Sequence, residues 1–188
     1  MASSTSLFNR MVRAARLQPA LYEEVEADSS AIGQVLLVVV LVSVATGIGT
    51  GLDAVIAVGA ERFIYGLMYG VAAAIVGWLL WALFAYIIGV SILKGPKTSS
   101  TWGELLRTMG FASTPGLLRV FAFVPTIGGI IVLCGSVWRL VATIIAVRQA
   151  LDFSTWRAIL TALIGWLVYM VLLALLHLLA TGSTPTLL

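Results

Sequence analysis

The sequence predicts an all-α polytopic membrane protein: a bundle of five transmembrane helices, the third kinked at Pro115, preceded by a short N-terminal interfacial helix. Three observations predict it. Of 188 residues, 61% are apolar and 10% charged, with a mean hydropathy of +1.08, whereas a soluble domain is about half apolar and a quarter charged. Four apolar runs, residues 31–52, 63–93, 127–147 and 158–180, each reach the roughly 20 helical residues that cross a 30 Å hydrocarbon core. The third observation is the distribution of positive charge. The chain divides into a cytoplasmic amphipathic and acidic segment (1–30), a five-span domain (31–180) and a short uncharged tail (181–188).

Residues 5–17 form an amphipathic helix in this reading. At 100° per residue Leu7, Phe8, Met11, Val12 and Ala15 share one arc, and Arg10, Arg13 and Arg16 the other. That pattern suits a helix lying in the headgroup layer, where each basic residue contributes roughly 1 kcal/mol of attraction to an anionic leaflet. Pro19 resets the chain, and Tyr22, Glu23, Glu24, Glu26 and Asp28 follow as a solvated acidic stretch. The first apolar run starts too late for a cleaved secretory signal, so the N-terminus is expected to be retained.

Small residues recur every four positions on the first span, at Ser43, Gly47 and Gly51, and on the second, at Gly66, Gly70 and Ala74. Such spacing lets helix backbones approach closely in lipid, where no hydrophobic drive holds helices together. Residues 101–124 are ambiguous, because Arg107, Arg119 and the Pro115–Gly116 break interrupt an otherwise apolar segment. Charge decides. With five spans and a cytoplasmic N-terminus, Arg10, Arg13, Arg16, Lys94, Lys97, Arg107, Arg148 and Arg157 lie inside and Arg62 outside, eight against one. With four spans Arg148 and Arg157 change sides, giving six against three. The positive-inside rule favours five, which places the C-terminal tail outside.

Enzyme signatures are absent. There is no His-Glu-x-x-His motif, no Walker loop and no Gly-x-Ser-x-Gly turn, and no apolar span holds a pair of carboxylates. Cys134 is the single cysteine and His177 the single histidine, which excludes a disulfide within the chain and two-histidine haem ligation. His177 stays a candidate single axial ligand for a haem or pigment. Bases spread over loops between apolar runs argue for insertion into a membrane and against nucleic acid as a partner. Arg139 falls near the middle of the run 127–147, at a depth similar to Pro115. Proline lacks an N–H, which frees the carbonyl of Phe111 in a dry medium. Arg139 is therefore expected to stay inside the bundle and donate to that break; the alternative is an arginine that binds an anion or lipid headgroup in a hydrated cavity. Arg119 is placed to reach the outer interface, toward Asp53 or Glu61.

The stretch Lys94-Gly-Pro-Lys97, Thr101-Trp-Gly-Glu-Leu-Leu-Arg107 and Gly110-Phe111-Ala-Ser-Thr-Pro115 is the most distinctive in the chain, and Pro19-x-x-Tyr22-x-x-Val25 precedes the first span. Together they resemble the Yip-domain (Rab-interacting) integral membrane protein family, in its bacterial type. The resemblance implies five spans, a cytoplasmic N-terminus and residence in a bacterial inner membrane. Eukaryotic relatives associate with small GTPases, partly through an Asp-Leu-Tyr-Gly-Pro motif that this sequence does not contain. The expected function is non-enzymatic and without cofactor: an accessory or scaffold component that contacts the lipid bilayer and other integral membrane proteins or further copies of itself. Two alternatives stand beside it, a small-solute or ion carrier and a pigment- or haem-binding subunit of an electron-transfer or photosynthetic complex.

Overall fold

The computed structural model describes residues 6–95, 98 and 100–181, with the side chains of 173 and 176–181 outside the description. Two short helices open the chain, α1 (Leu7–Ala15) and α2 (Pro19–Ala27). Ser6 caps α1 by accepting from the Asn9 amide at 3.3 Å. Leu17 ends it in the left-handed region at φ 58°, with Gln18 N–H reaching Arg13 O at 3.1 Å and Leu17 N–H reaching Ala14 O at 3.0 Å. These are the two bonds of a Schellman stop, here without its usual glycine. Pro19 then starts α2 at a position that needs no N–H.

Among the described residues four helices are long and apolar enough to cross a membrane. They are α3 (Ile32–Ala57), α4 (Phe63–Ile87, continued by a π turn, Ile88–Ile92), α6 (Gly128–Ala150) and α7 (Thr155–Thr181). Between α4 and α6 lie α5 (Trp102–Ala112) and a 3-10 segment, Thr114–Phe121. The two pieces make one broken crossing. Eleven α residues and eight 3-10 residues rise about 32 Å together, enough for the hydrocarbon core.

Neighbours confirm the traverse. Along α3 the broken segment runs parallel: Gly110 takes Val35, Gly116 takes Val42, and the carbonyl of Arg119 lies against Gly49. Along α6 it runs antiparallel. Leu105 and Met109 pack with Val147, Ala150 and Leu151, Leu118 lies against Gly135, and the Ala122 carbonyl against Gly128. The segment thus accompanies α6 from one end to the other.

The break sits at Ser113–Thr114, and beyond it the chain is 3-10 rather than a kinked α-helix. Its carbonyls are satisfied locally. Ser113 Oγ donates to Gly110 O at 2.6 Å, and Thr114 Oγ1 donates to Phe111 O at 2.7 Å. Arg139 was expected to serve Phe111, and it does not. The hydroxyls are already within reach of carbonyls three residues back, so no distant donor is needed.

The two small-residue stripes face one another across antiparallel α3 and α4. A Cβ on Gly70 would lie 2.7 Å from the Gly47 Cα, and one on Gly66 would lie 2.9 Å from the Gly51 Cα. Ser43, one turn before Gly47, is buried at 1% exposure.

The α1–α2 hairpin shares a core with the spans. Leu21, Tyr22 and Val25 are fully buried and cluster with Val35, Phe111, Ala142 and Ala146. Arg107 donates from Nε to the Val25 carbonyl at 2.9 Å and from its terminal nitrogen to the Glu26 carbonyl. It thereby satisfies the open C-terminal carbonyls of α2.

Candidate functional site

Two clusters of charge mark the molecule, one at the hairpin and one within the bundle. At the hairpin Arg10 is 5% exposed. Its guanidinium donates to Glu24 at 2.9 Å, Asp28 at 2.8 Å and Gln34 at 3.1 Å, while Arg13 meets Glu24 at 2.5 Å. This corrects the expectation that Arg10 and Arg13 hold a helix on lipid headgroups: both are turned to the acidic residues of α2. The acidic stretch lies on α2, with Glu23 exposed and Glu24 and Glu26 half-buried. Arg16 remains exposed, and so does Phe8 at 77%. Amphipathicity sorts residues into faces, but it does not say whether the polar face meets water, lipid or a second helix.

The electrostatics follow from these pairs. Burial alone would push the Glu24 carboxyl up, but the hydrogen bonds and charges of Arg13 and Arg10 outweigh it and hold the group below the usual carboxylate range. Asp28 is held low by hydrogen bonds from Ser30 and Arg10. Glu26 goes the other way. Burial, with the nearby charges of Glu104 and Asp152, pushes it up to about 7.

Within the bundle a cavity of about 510 Å³ lies among α3, α4, α6, α7 and the 3-10 segment. Its charged walls are Arg119 and Arg139, and its polar walls include Ser136, Thr46 and Tyr169. Trp81 holds the arrangement in place: its Nε1 donates to the Ala162 carbonyl at 3.2 Å, tying α4 to α7. The Arg139 guanidinium stacks over the Trp81 ring at 5.3 Å. Among the described residues Arg139 donates no hydrogen bond and enters no ion pair, and its Nε is buried without a partner.

Arg119 reaches neither Asp53 nor Glu61. It turns inward and approaches Ser136 Oγ at 3.4 Å, and that hydroxyl itself donates to Val132 O at 2.7 Å. The lining residues left most exposed are Leu133 and Val137 of α6 and Leu163 and Trp166 of α7, so the cavity is least covered on its side, between these two helices. Arg139 is the twelfth residue of the 23 in α6, about 16 Å from either end of that helix.

The sequence flagged Arg119 and Arg139 separately and did not bring them together. Trp81 and Tyr169 went unflagged as well, because a tryptophan or tyrosine on an apolar span carries no signal of its own. Pro115, Gly110 and Phe111 lie in the packing of the broken crossing, not in the cavity. The side chain of His177 lies outside the described residues.

A family model for the Yip1 domain matches residues 17–176. The chain belongs to the Yip1 domain family. Neither the curated proteins nor the solved structures compared with the chain gave a match. The match takes in α2 and all five crossings, so this Yip1 domain protein is a multi-pass membrane protein throughout its matched length. The residues behind the resemblance also acquire physical roles. Thr101 and Glu104 form a reciprocal capping box that starts α5, Arg107 clamps α2, and Tyr22 and Val25 are core. The capping box was legible as Thr101-x-x-Glu104, a signal the sequence reading passed over.

Proposed function

We propose that this Yip1 domain protein is a non-catalytic accessory component of a larger membrane assembly. It acts through helix and lipid contacts, with its N-terminus on the cytoplasmic side. One observation carries the reading, the unequal covering of the spans. Half of the most apolar stretch of α3 is buried, against 28% in α4 and α6 and 22% in α7. On α6 and α7 four of the uncovered residues, Leu133, Val137, Leu163 and Trp166, also line the cavity. In a bilayer the uncovered faces meet acyl chains or the helices of another protein. A carrier of water-borne solutes would need a path to the aqueous faces, and a sideways mouth favours lipid instead.

The test is purification of the full chain in a mild detergent that keeps annular lipid, followed by identification of what remains bound. Membrane proteins and lipids retained in constant ratio support the accessory reading. A bare, lipid-free monomer that moves solutes in proteoliposomes would overturn it in favour of a carrier.

A further inference from the structure

Two arginines face one cavity without a carboxylate between them. Arg139 uses one flat face on Trp81 and leaves its edge donors free. Arg119 makes a long contact at 3.4 Å with a hydroxyl that is already committed to Val132. A guanidinium left unpaired at the centre of a bilayer is costly even on lenient scales. Two of them repel each other as well. What would relieve both is an anion.

The mouth defines the rest of the ligand. Its rim is Leu133, Val137, Leu163 and Trp166, all exposed on the faces of α6 and α7. What meets those faces within the bilayer is hydrocarbon, so an entering molecule must carry an apolar body. At about 510 Å³ the cavity is far larger than a bare anion needs and falls within the range of cavities that hold organic ligands, roughly 300–1,000 Å³.

Charge and shape then choose the head. A carboxylate would neutralise one guanidinium and strand the other. A phosphate monoester carries a charge of roughly −1.5 to −2 near neutral pH and offers three acceptor oxygens. Two planar forks can engage it from two sides.

We propose that the cavity binds a phosphate-headed amphiphile drawn from the bilayer, with its phosphate between Arg119 and Arg139 and its tail leaving through the α6–α7 mouth. This deepens the reading of the protein as one that works through lipid contacts, and it rests on that reading.

The experiment uses the full-length protein in detergent. It is titrated in parallel with phosphatidic acid, phosphatidylcholine of the same tails, a free fatty acid and inorganic phosphate. Retained mass and melting temperature are read in each arm. Phosphatidic acid is expected to stay bound and raise the melting temperature, with affinity at least tenfold above the other three. Arg139→Leu and Arg119→Leu should each lower phosphatidic acid affinity at least tenfold. Arg139→Lys should retain part of it, because the charge persists without the planar fork. Val137→Trp plugs the mouth without touching either arginine and should also abolish binding, which covers the case in which an arginine variant fails to fold.

Phosphatidylcholine binding as tightly as phosphatidic acid would overturn the charge-reading site while leaving the lipid-contact function standing. Equal binding of the fatty acid would overturn the choice of phosphate. Binding of inorganic phosphate as tight as that of phosphatidic acid would make this a site for a soluble anion. No lipid retained in any arm would overturn the inference, while the accessory reading would stand or fall on the membrane proteins that co-purify.

Discussion

At the α1–α2 hairpin Arg10 meets two carboxylates and an amide, while in the bundle Arg139 meets the face of one indole. Both side chains belong to helices, and both leave their helix on a side that faces other helices. Arg10 is neutralised within the chain, by Glu24 and Asp28, 14 and 18 positions away. Arg139 has no such partner among the described residues. The difference separates an arginine that fastens two helices from one whose charge is still available. A polar contact that is complete explains stability; one that is incomplete points to a ligand.

The strongest way to break this comparison is to remove each charge in turn. Arg10→Leu leaves Asp28 without its cation and Glu24 with Arg13 alone. Removing one partner of a fully buried pair costs about 3–5 kcal/mol. Because the carboxylates are 31% exposed, the expected loss is smaller, about 2 kcal/mol. Arg139→Leu should leave the melting temperature of lipid-free protein unchanged or higher. Thermal melts of the two variants side by side check this, and an Arg139→Leu loss as large as that of Arg10→Leu would erase the distinction.

A second measurement sharpens it at the break in the third crossing. Thr114→Val removes the donor to Phe111 O and should cost about 1 kcal/mol or somewhat more in that dry setting. If Arg139 serves no carbonyl there, the double variant with Arg139→Leu should be additive within about 0.5 kcal/mol. A strong coupling between the two would restore a capping role for Arg139.

The smallest effect concerns pH. Glu26 is raised to about 7 from 4.5, so the folded protein holds that proton more tightly than the unfolded chain does. Stability from this group is therefore lost as pH rises from about 4.5 through 7, and is constant above. Glu24 and Asp28 are lowered and act in reverse, since their stabilisation disappears as pH falls below their unfolded values. Glu26→Gln should flatten the decline in melting temperature between about pH 4.5 and 7 and leave the acid side unchanged. A decline of the same slope in the variant would remove Glu26 as its cause.

How much of this was legible depended on the kind of signal. The four long spans were, because twenty apolar residues in a row have few other uses. The broken crossing was hidden from hydropathy by Arg107, Arg119 and Pro115, and the count of loop charges and the family resemblance argued for it. Arg10 was misread because its partners stand past a proline turn, though Glu24 and Asp28 lay close enough in sequence to suggest a hairpin closed by charge. The cavity was beyond reach. Arg119, Trp81, Arg139 and Tyr169 come from four different elements, and only the antiparallel pairing of α4 with α7 and of α6 with the 3-10 segment brings them together.

The hairpin carries a further consequence, for the order of biosynthesis. Its helices emerge from the ribosome first, yet the contacts that seat them come last: Trp138 donates to the Ala15 carbonyl across 123 residues, and Gln149 to Glu23 across 126. At roughly 5–20 residues per second of synthesis, α1 and α2 wait on the order of 10 s before α6 exists to receive them. Until then Arg10 can already find Glu24 and Asp28, so the salt-bridged hairpin is the form in which the N-terminus waits. Its final docking onto α6 therefore signals that the fourth crossing in chain order has been inserted.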